Sequence, residues 1–216
     1  MGNLTLEDFR DRSLSRAQRP AFDTAEHNEA VNAVILDLAD IVDFKELEAI
    51  HSITMVAGTA TEALPSDWLR YYQRGGRITT TDKRQRIRPR SRETFLMLSD
   101  PTAQSLPDFF HVYAGNVIFD PVPDDAYTAE LDYQKRPTLL TGDTSVSPYD
   151  PEWDEAIVRG VIAKVYERYQ EHEVALKANN DFIDEVRKRR PAAQREPWPD
   201  IPLQPTFEES KLRIRG

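Results

Sequence analysis

Lys83 to Arg92 reads KRQRIRPRSR, six bases and no acid, in a chain whose 37 acidic and 28 basic residues leave a net charge of −9. Guanidinium groups at this density pair with phosphates or carboxylates, so Lys83, Arg84, Arg86, Arg88, Arg90 and Arg92 are the first candidates for a binding site. Arg70, Arg74 and Arg77 lie just before them. Nucleic acid is one target for such a run. Against it, the run has no interleaved aromatics for base stacking, and Pro89 prevents a continuous recognition helix. A flexible loop is the plain alternative. Contact with an acidic surface on a neighbouring subunit or partner is the favoured reading.

Other groups capable of chemistry are scattered. Asp120, Asp124, Asp125, Glu130 and Asp132 follow one another without an intervening base, a set of oxygen ligands that suits a hard cation. The calcium-loop pattern with its bidentate glutamate is missing, so the favoured reading is a turn between strands or an acidic face lining a channel. A hydrolase or nuclease built on Asp120, Asp124 and Asp125 is the enzymatic alternative. His27, His51, His111 and His172 have no HxxxH spacing. In Glu171-His172-Glu173, adjacent helical positions point in different directions and cannot converge on one ion. Zero cysteines exclude disulfides, thiol nucleophiles and Cys-ligated metals. Gly75-Gly76 has no phosphate-loop context and reads as a hairpin turn. No catalytic residue, metal or cofactor is expected.

The elements that must position these groups are marked by fifteen prolines. At roughly 150 residues per domain, 216 residues suit one domain, or one with a sizeable insertion. Proline is costly inside a helix, and two windows lack it. In the first, Val31, Val34, Ile35, Leu38, Ile41 and Val42 recur at helical spacing, predicting a helix from about Thr24 to Asp43 capped by Asp23 or Thr24. In the second, Trp153, Ile157, Val161, Val165 and Tyr169 predict a helix opened by Asp150 and Pro151. Leu176, Phe182, Ile183 and Val186 continue it to Arg190, with a bend or break at Ala178-Asn179-Asn180. A short helix near Thr5 to Ala17 carries a capping signal, Thr5 with Asp8.

Between the windows the apolar spacing falls to two. Ile50–Val56 and Thr59–Leu64 predict one hairpin through Ala57-Gly58. Phe109–Tyr113 and Val117–Phe119 predict another through Ala114-Gly115-Asn116. Tyr127, Ala129, Leu131 and Tyr133 predict a half-buried strand. The fold class expected is α+β: an antiparallel helical bundle with an inserted antiparallel β domain and an extended C-terminal tail. Its parts are residues 1–49 and 150–190 (the bundle), 50–149 (the insertion) and 191–216 (the tail). The tail keeps Trp198, Ile201, Leu203, Phe207, Leu212 and Ile214 among its prolines, and a merely solvating tail lacks such residues, so these six are candidate anchors for a partner. Leu212 and Ile214 alternate with bases, as in a strand added to a partner's sheet. The polar start MGNLTLEDFRDR and the lack of a long apolar run give no membrane or export signal.

Three stretches in this order, AGTATEALPSDWLR from Ala57, VYAGNVIFDPVPDDAYTAELDYQKRPTLL from Val112 and YDPEWDEAIVRGVIAKVYERYQEHEVA from Tyr149, resemble the head-to-tail adaptor (connector) proteins of tailed bacteriophages, the class that includes tail tubular protein A. Leu64, Pro65 and Asp67 match the family's Leu-Pro-x-Asp step. Pro121 and Pro123 match its Pro-x-Pro turn, and Tyr127, Leu131 and Tyr133 its Tyr-x-x-x-Leu-x-Tyr strand. The arginine run and the long proline tail depart from the family pattern.

The resemblance implies a structural virion protein at the head–tail junction, present in the host cytoplasm during assembly. Such adaptors form a ring, typically a dodecamer, below the portal protein and above neck or tail proteins, with genomic DNA passing through the lumen without sequence-specific binding. An acidic lumen fits, since it repels phosphates and lets DNA slide. On this reading the tail anchors grip the portal and the basic run faces protein. The alternative function is a small nucleic-acid-binding module using residues 83–92.

Overall fold

The structure, a computed structural model, describes residues 3–18, 23–79, 84–100 and 102–190. It is a mixed α+β fold. Helix α1 (Leu6–Ala17) begins where Thr5 and Asp8 close the expected capping box: the Asp8 amide donates to Thr5 Oγ1 at 3.2 Å and the Thr5 amide to Asp8 Oδ2 at 3.0 Å. Helix α2 (Thr24–Ile41) begins at Asp23, which accepts from the Ala25 amide at 3.0 Å. Near the other end of the chain come α4 (Asp154–Arg168) and α5 (His172–Arg189). Helix α4 packs against α1, α2 and α5. Its Ile157, Val161 and Val165 are wholly buried with Val31, Ile35 and Leu38 of α2 and Phe9 of α1. Burying each such side chain stabilises the fold by about 1.5–3 kcal/mol.

Seven strands make one sheet: β1 (Glu48–Thr54), β2 (Thr61–Ala63), β3 (Trp68–Thr79), β4 (Arg84–Pro89), β5 (Phe109–Tyr113), β6 (Asn116–Asp120) and β7 (Thr128–Lys135). The spatial order is β1-β7-β3-β4-β5-β6-β2, and only β4 and β5 are parallel. The β5–β6 hairpin is as expected, turning on Ala114 and Gly115, both at positive φ (49° and 77°). Strand β7 alternates as expected, with Ala129, Leu131 and Tyr133 buried. The sheet curls: His51 Nε2 of β1 lies 3.2 Å from the Ala63 carbonyl of β2, although these strands end the order on opposite sides. The curl encloses a second core of Ile53, Met55, Ile78, Ile87, Phe110, Val117, Phe119, Ala129 and Leu131.

Arg70 on β3 and Gln134 on β7 join the layers. The Arg70 guanidinium donates to the carbonyls of Asp40 (3.2 Å) and Val42 (3.0 Å) and to Asp43 Oδ1 (2.7 Å), capping the C-terminal end of α2. Gln134 Nε2 donates to the Phe44 carbonyl at 2.8 Å. Tyr149, stacked on Phe44 at 4.0 Å, donates its hydroxyl to the Ile35 carbonyl at 2.5 Å, and burial pushes its pKa up.

Several expectations are corrected. The strands around Ala57-Gly58 form, and Thr59 N donates to Val56 O across a turn, but they do not pair with each other. Strand β1 pairs with β7 and β2 with β6, because a turn sets direction while register follows the buried partners, here Ile53 beside Ala129. Gly75-Gly76 is no hairpin turn; it lies inside β3 at a register shift against β7. A Cβ on Gly76 would come within 2.5 Å of the Glu130 carbonyl oxygen, so a close backbone approach demands the glycine. The break in the second helical window falls at Tyr169–Glu171, with Gln170 at φ 60°, not at Ala178–Asn180. Asn179 and Asn180 are exposed within α5, where their weak helix propensity costs only a few tenths of a kcal/mol, ~0.5 each. The Asp150 side chain makes no capping bond; Pro151 opens a 3₁₀ turn, Pro151–Trp153, ahead of α4.

Candidate functional site

The basic run is a strand rather than a loop. Its arginines fall at every second position, so the pleat of β4 turns Arg84, Arg86 and Arg88 to one exposed face and drives Ile87 into the sheet core. Among the described residues no ion pair holds Arg84 or Arg88. Cross-strand neighbours extend the row: Arg86 pairs in register with Arg77, whose Nε donates to Glu130 Oε2 at 2.7 Å.

Beyond Pro89 the arginines lie over aromatic rings, Arg90 half-buried and Arg92 still exposed. The Arg90 guanidinium lies 3.2 Å from the Phe109 ring centroid and 3.4 Å from Asp120 Oδ2. Burial raises the Asp120 pKa, and the Arg90 charge opposes that rise. Arg92 lies 3.9 Å from the Tyr113 ring centroid. The six-residue candidate set therefore divides: three arginines face solvent, two are held on aromatic rings, and Lys83 lies outside the described residues.

Immediately after the strand comes α3 (Arg92–Leu98), absent from the sequence-based reading. Ser91 caps it, accepting from the Thr94 amide at 3.3 Å. Phe95 anchors it, buried with its ring 5.5 Å from His111 of β5. The next three residues do the opposite: Leu96, Met97 and Leu98 are 67%, 83% and 62% exposed. Three adjacent large apolar side chains in solvent form an uncovered apolar patch, the kind of surface that interaction sites use. The signal was present in Ser-Arg-Glu-Thr-Phe-Leu-Met-Leu, a cap followed by more apolar residues than one helix face can bury.

The acidic stretch does not converge. Asp120 faces Arg90, and Glu130 pairs with Arg77. Asp124 accepts from the Tyr127 hydroxyl at 2.6 Å, raising that phenol to about 12, and Asp125 accepts from the Ala126 amide. Among the described residues no three His, Cys, Asp or Glu side chains gather as a metal site. The histidines stay apart: His27 is buried 2.8 Å from Ser13 Oγ, His51 reaches Ala63, His111 reaches the Arg90 carbonyl, and His172 opens α5. The tail candidates Trp198, Ile201, Leu203, Phe207, Leu212 and Ile214 lie outside the described residues. No helix among the described residues is long and apolar enough to cross a membrane.

The three outward arginines of β4 and the three exposed apolar side chains of α3 are the candidate contact surfaces. Residues 4–201 match the family model described as SU10 adaptor protein, and the chain belongs to that family. It is a bacteriophage head–tail adaptor, a structural component of the virion. No curated protein matches the chain.

Proposed function

We propose that copies of this chain form a ring, typically of twelve, below the portal, linking the DNA-filled head to neck or tail proteins and lining the channel through which DNA leaves. The helical layer is the ring-forming bundle, residues 50–149 face neighbouring or later-joining proteins, and Trp198, Ile201, Leu203, Phe207, Leu212 and Ile214 grip the portal. The likeness to tail tubular protein A belongs to this reading.

The observation that carries it is the separation of charge on an adaptor-family chain. A protein of net charge −9 places three arginines in a row on one strand, where they suit an acidic protein surface, while the remaining acidity keeps DNA mobile. Purification of the tagged full chain from native lysate, with mass spectrometry and negative-stain imaging, tests it. Ring or neck particles containing a portal-sized protein are expected; recovery with DNA and no virion protein overturns it. Undiminished incorporation after truncation at Arg190 removes the role of the tail.

The nucleic-acid reading has one observation in its favour, the regular spacing of Arg84, Arg86 and Arg88 along β4. Three phosphate contacts predict a log–log salt slope of about −2 to −3. Salt-insensitive retention by a protein ring contradicts it.

A further inference from the structure

The sheet leaves one long edge open. Met55 N donates to Tyr127 O at 2.8 Å in line with the β1–β7 register, so by antiparallel alternation Ala49, His51 and Ile53 point their amides and carbonyls at β7, and Ile50, Ser52 and Thr54 point theirs away. Among the described residues no backbone bond meets those outward groups. Beyond them lies β2, joined to β1 by the Thr59 N–Val56 O bond (3.0 Å) and unpaired with it thereafter, so the two strands leave a slot that closes at this turn and opens towards Glu48. His51 Nε2, 3.2 Å from the Ala63 carbonyl, bridges the slot with a side chain where a strand pair would use backbone. Proteins commonly guard such an edge with lysine, proline or a bulge, and β1 (EAIHSIT) has none, while Ile50 is 58% exposed.

An extended backbone with one apolar and one basic face fits this edge. On the outward side, β1 and β7 carry Glu48, Glu130 and Asp132 and no base; Arg77 holds Glu130, and no ion pair holds Asp132 among the described residues. On the core side stands Ile53. Lys211-Leu212-Arg213-Ile214-Arg215 has the matching pattern, three bases on one side of a strand and two apolar residues on the other. Reach selects the copy that supplies it. Arg189, at the end of α5, donates to the Glu152 carbonyl, and Trp153 meets Phe44 edge-on at 4.9 Å, four residues before β1, so the tail leaves the fold beside the mouth of its own slot. Residues 191–210 hold five prolines, and a proline-rich spacer of that length extends about 60 Å at ~3.1 Å per residue. A fold of this size is about 40 Å across, so the spacer overshoots its own slot and reaches that of the next copy.

We infer that Lys211–Arg215 of one copy adds as a strand to the open edge of β1 in the next copy, its main chain bonding Ile50 and Ser52, with Leu212 and Ile214 towards Ile53 and the three bases beside Asp132. Added strand and receiving edge are different surfaces, so the contact is head-to-tail and repeats into a ring or a filament. It rests on the ring reading above, names a contact that holds the ring, and leaves Trp198, Ile201, Leu203 and Phe207 for the portal.

Because the chain has no cysteine, introduced thiols are the only ones present. Ser52→Cys, at an exposed position on β1, and Arg213→Cys are placed in one full-length chain and treated with a short bis-maleimide. A ladder of covalent oligomers from the double variant, and none from either single variant, is expected. A cross-linked monomer without a ladder overturns the inference in favour of a chain that covers its own edge. A dimer from Ser52→Cys alone overturns it in favour of two β1 edges pairing about a two-fold axis. Rings seen by negative stain without the cross-link overturn it and leave the ring reading intact. Finding neither rings nor the cross-link also overturns it, and the native-lysate purification then judges the ring reading separately. Main-chain pairing has its own signature: Ile214→Pro, which removes a strand N–H, weakens self-association roughly tenfold, while Ile214→Val leaves it unchanged. Equal self-association of the two variants sinks the inference.

Discussion

Arg16, Arg159 and Arg189 of the helical layer converge on two carboxylates, Glu155 and Glu185, whereas Arg84 and Arg88 of the sheet face outward with no ion-pair partner among the described residues. The Glu155 carboxyl shows the consequence: partial burial works against its charge, yet Arg16 and Arg159 hold its pKa below the ordinary value. The apolar surfaces divide similarly, but less completely. Both layers have buried cores, and the sheet layer adds α3 with three apolar side chains in solvent. Charges satisfied within one chain stiffen that chain. Charges and apolar groups left outward are the surfaces the proposed reading assigns to contact, so the sheet layer is where the two layers differ most.

Core substitutions test the division most severely. Phe110→Ala in the sheet core should cost about 3–5 kcal/mol and Ile157→Ala in the helical core about 2–5 kcal/mol. Because Arg70 and Gln134 tie the layers, each should shift a single thermal transition; two separate transitions by calorimetry would show that the layers unfold independently. Gly76→Ala should cost ~1–3 kcal/mol in urea unfolding, since the added Cβ meets a backbone oxygen that cannot turn aside.

The buried His27 of the helical layer sharpens the comparison through pH. Burial, then the Arg10 charge, lowers its pKa from 6.5 to about 4, with Asp11 opposing. The unfolded chain therefore binds the extra proton first, so this contribution is full above about pH 6.5 and is lost as pH falls towards 4. At ~1.4 kcal/mol for each of about 2.5 pH units, the full loss should be on the order of 3 kcal/mol. His27→Gln should flatten that part of the stability profile; an unchanged slope would assign it to other groups. Smallest in stability is Arg84→Gln with Arg88→Gln, expected within ~0.5 kcal/mol of the parent. The same variant should recover markedly less partner protein from lysate. Full recovery would mean that the outward arginines have no role in contact.

Local patterns were legible where one element met one core. The capping box at Thr5 and Asp8, the Val31–Leu38 stripe and the Ala114-Gly115 turn all appear where spacing and backbone chemistry place them. Partner choice was not legible. Nothing near Ala57-Gly58 says that the strands on either side belong to opposite edges of a curled sheet, and Gly75-Gly76 looks the same in a turn as in a close strand crossing. The basic run stated its composition plainly. Its period of two, which makes it a strand with a single arginine face, was available in Arg84, Arg86 and Arg88, but Pro89 was read only as excluding a recognition helix.

By itself, then, the sequence determined composition, helix periods and caps, the adaptor likeness and the concentration of positive charge at residues 83–92, because these depend on neighbours along the chain. Only the tertiary structure decided which strands pair, that Arg90 and Arg92 turn onto aromatic rings while Arg84, Arg86 and Arg88 stay outward, and that Leu96, Met97 and Leu98 are left uncovered. Exposure and pairing are properties of distant residues meeting, and burial against those residues, not local preference, sets their energies.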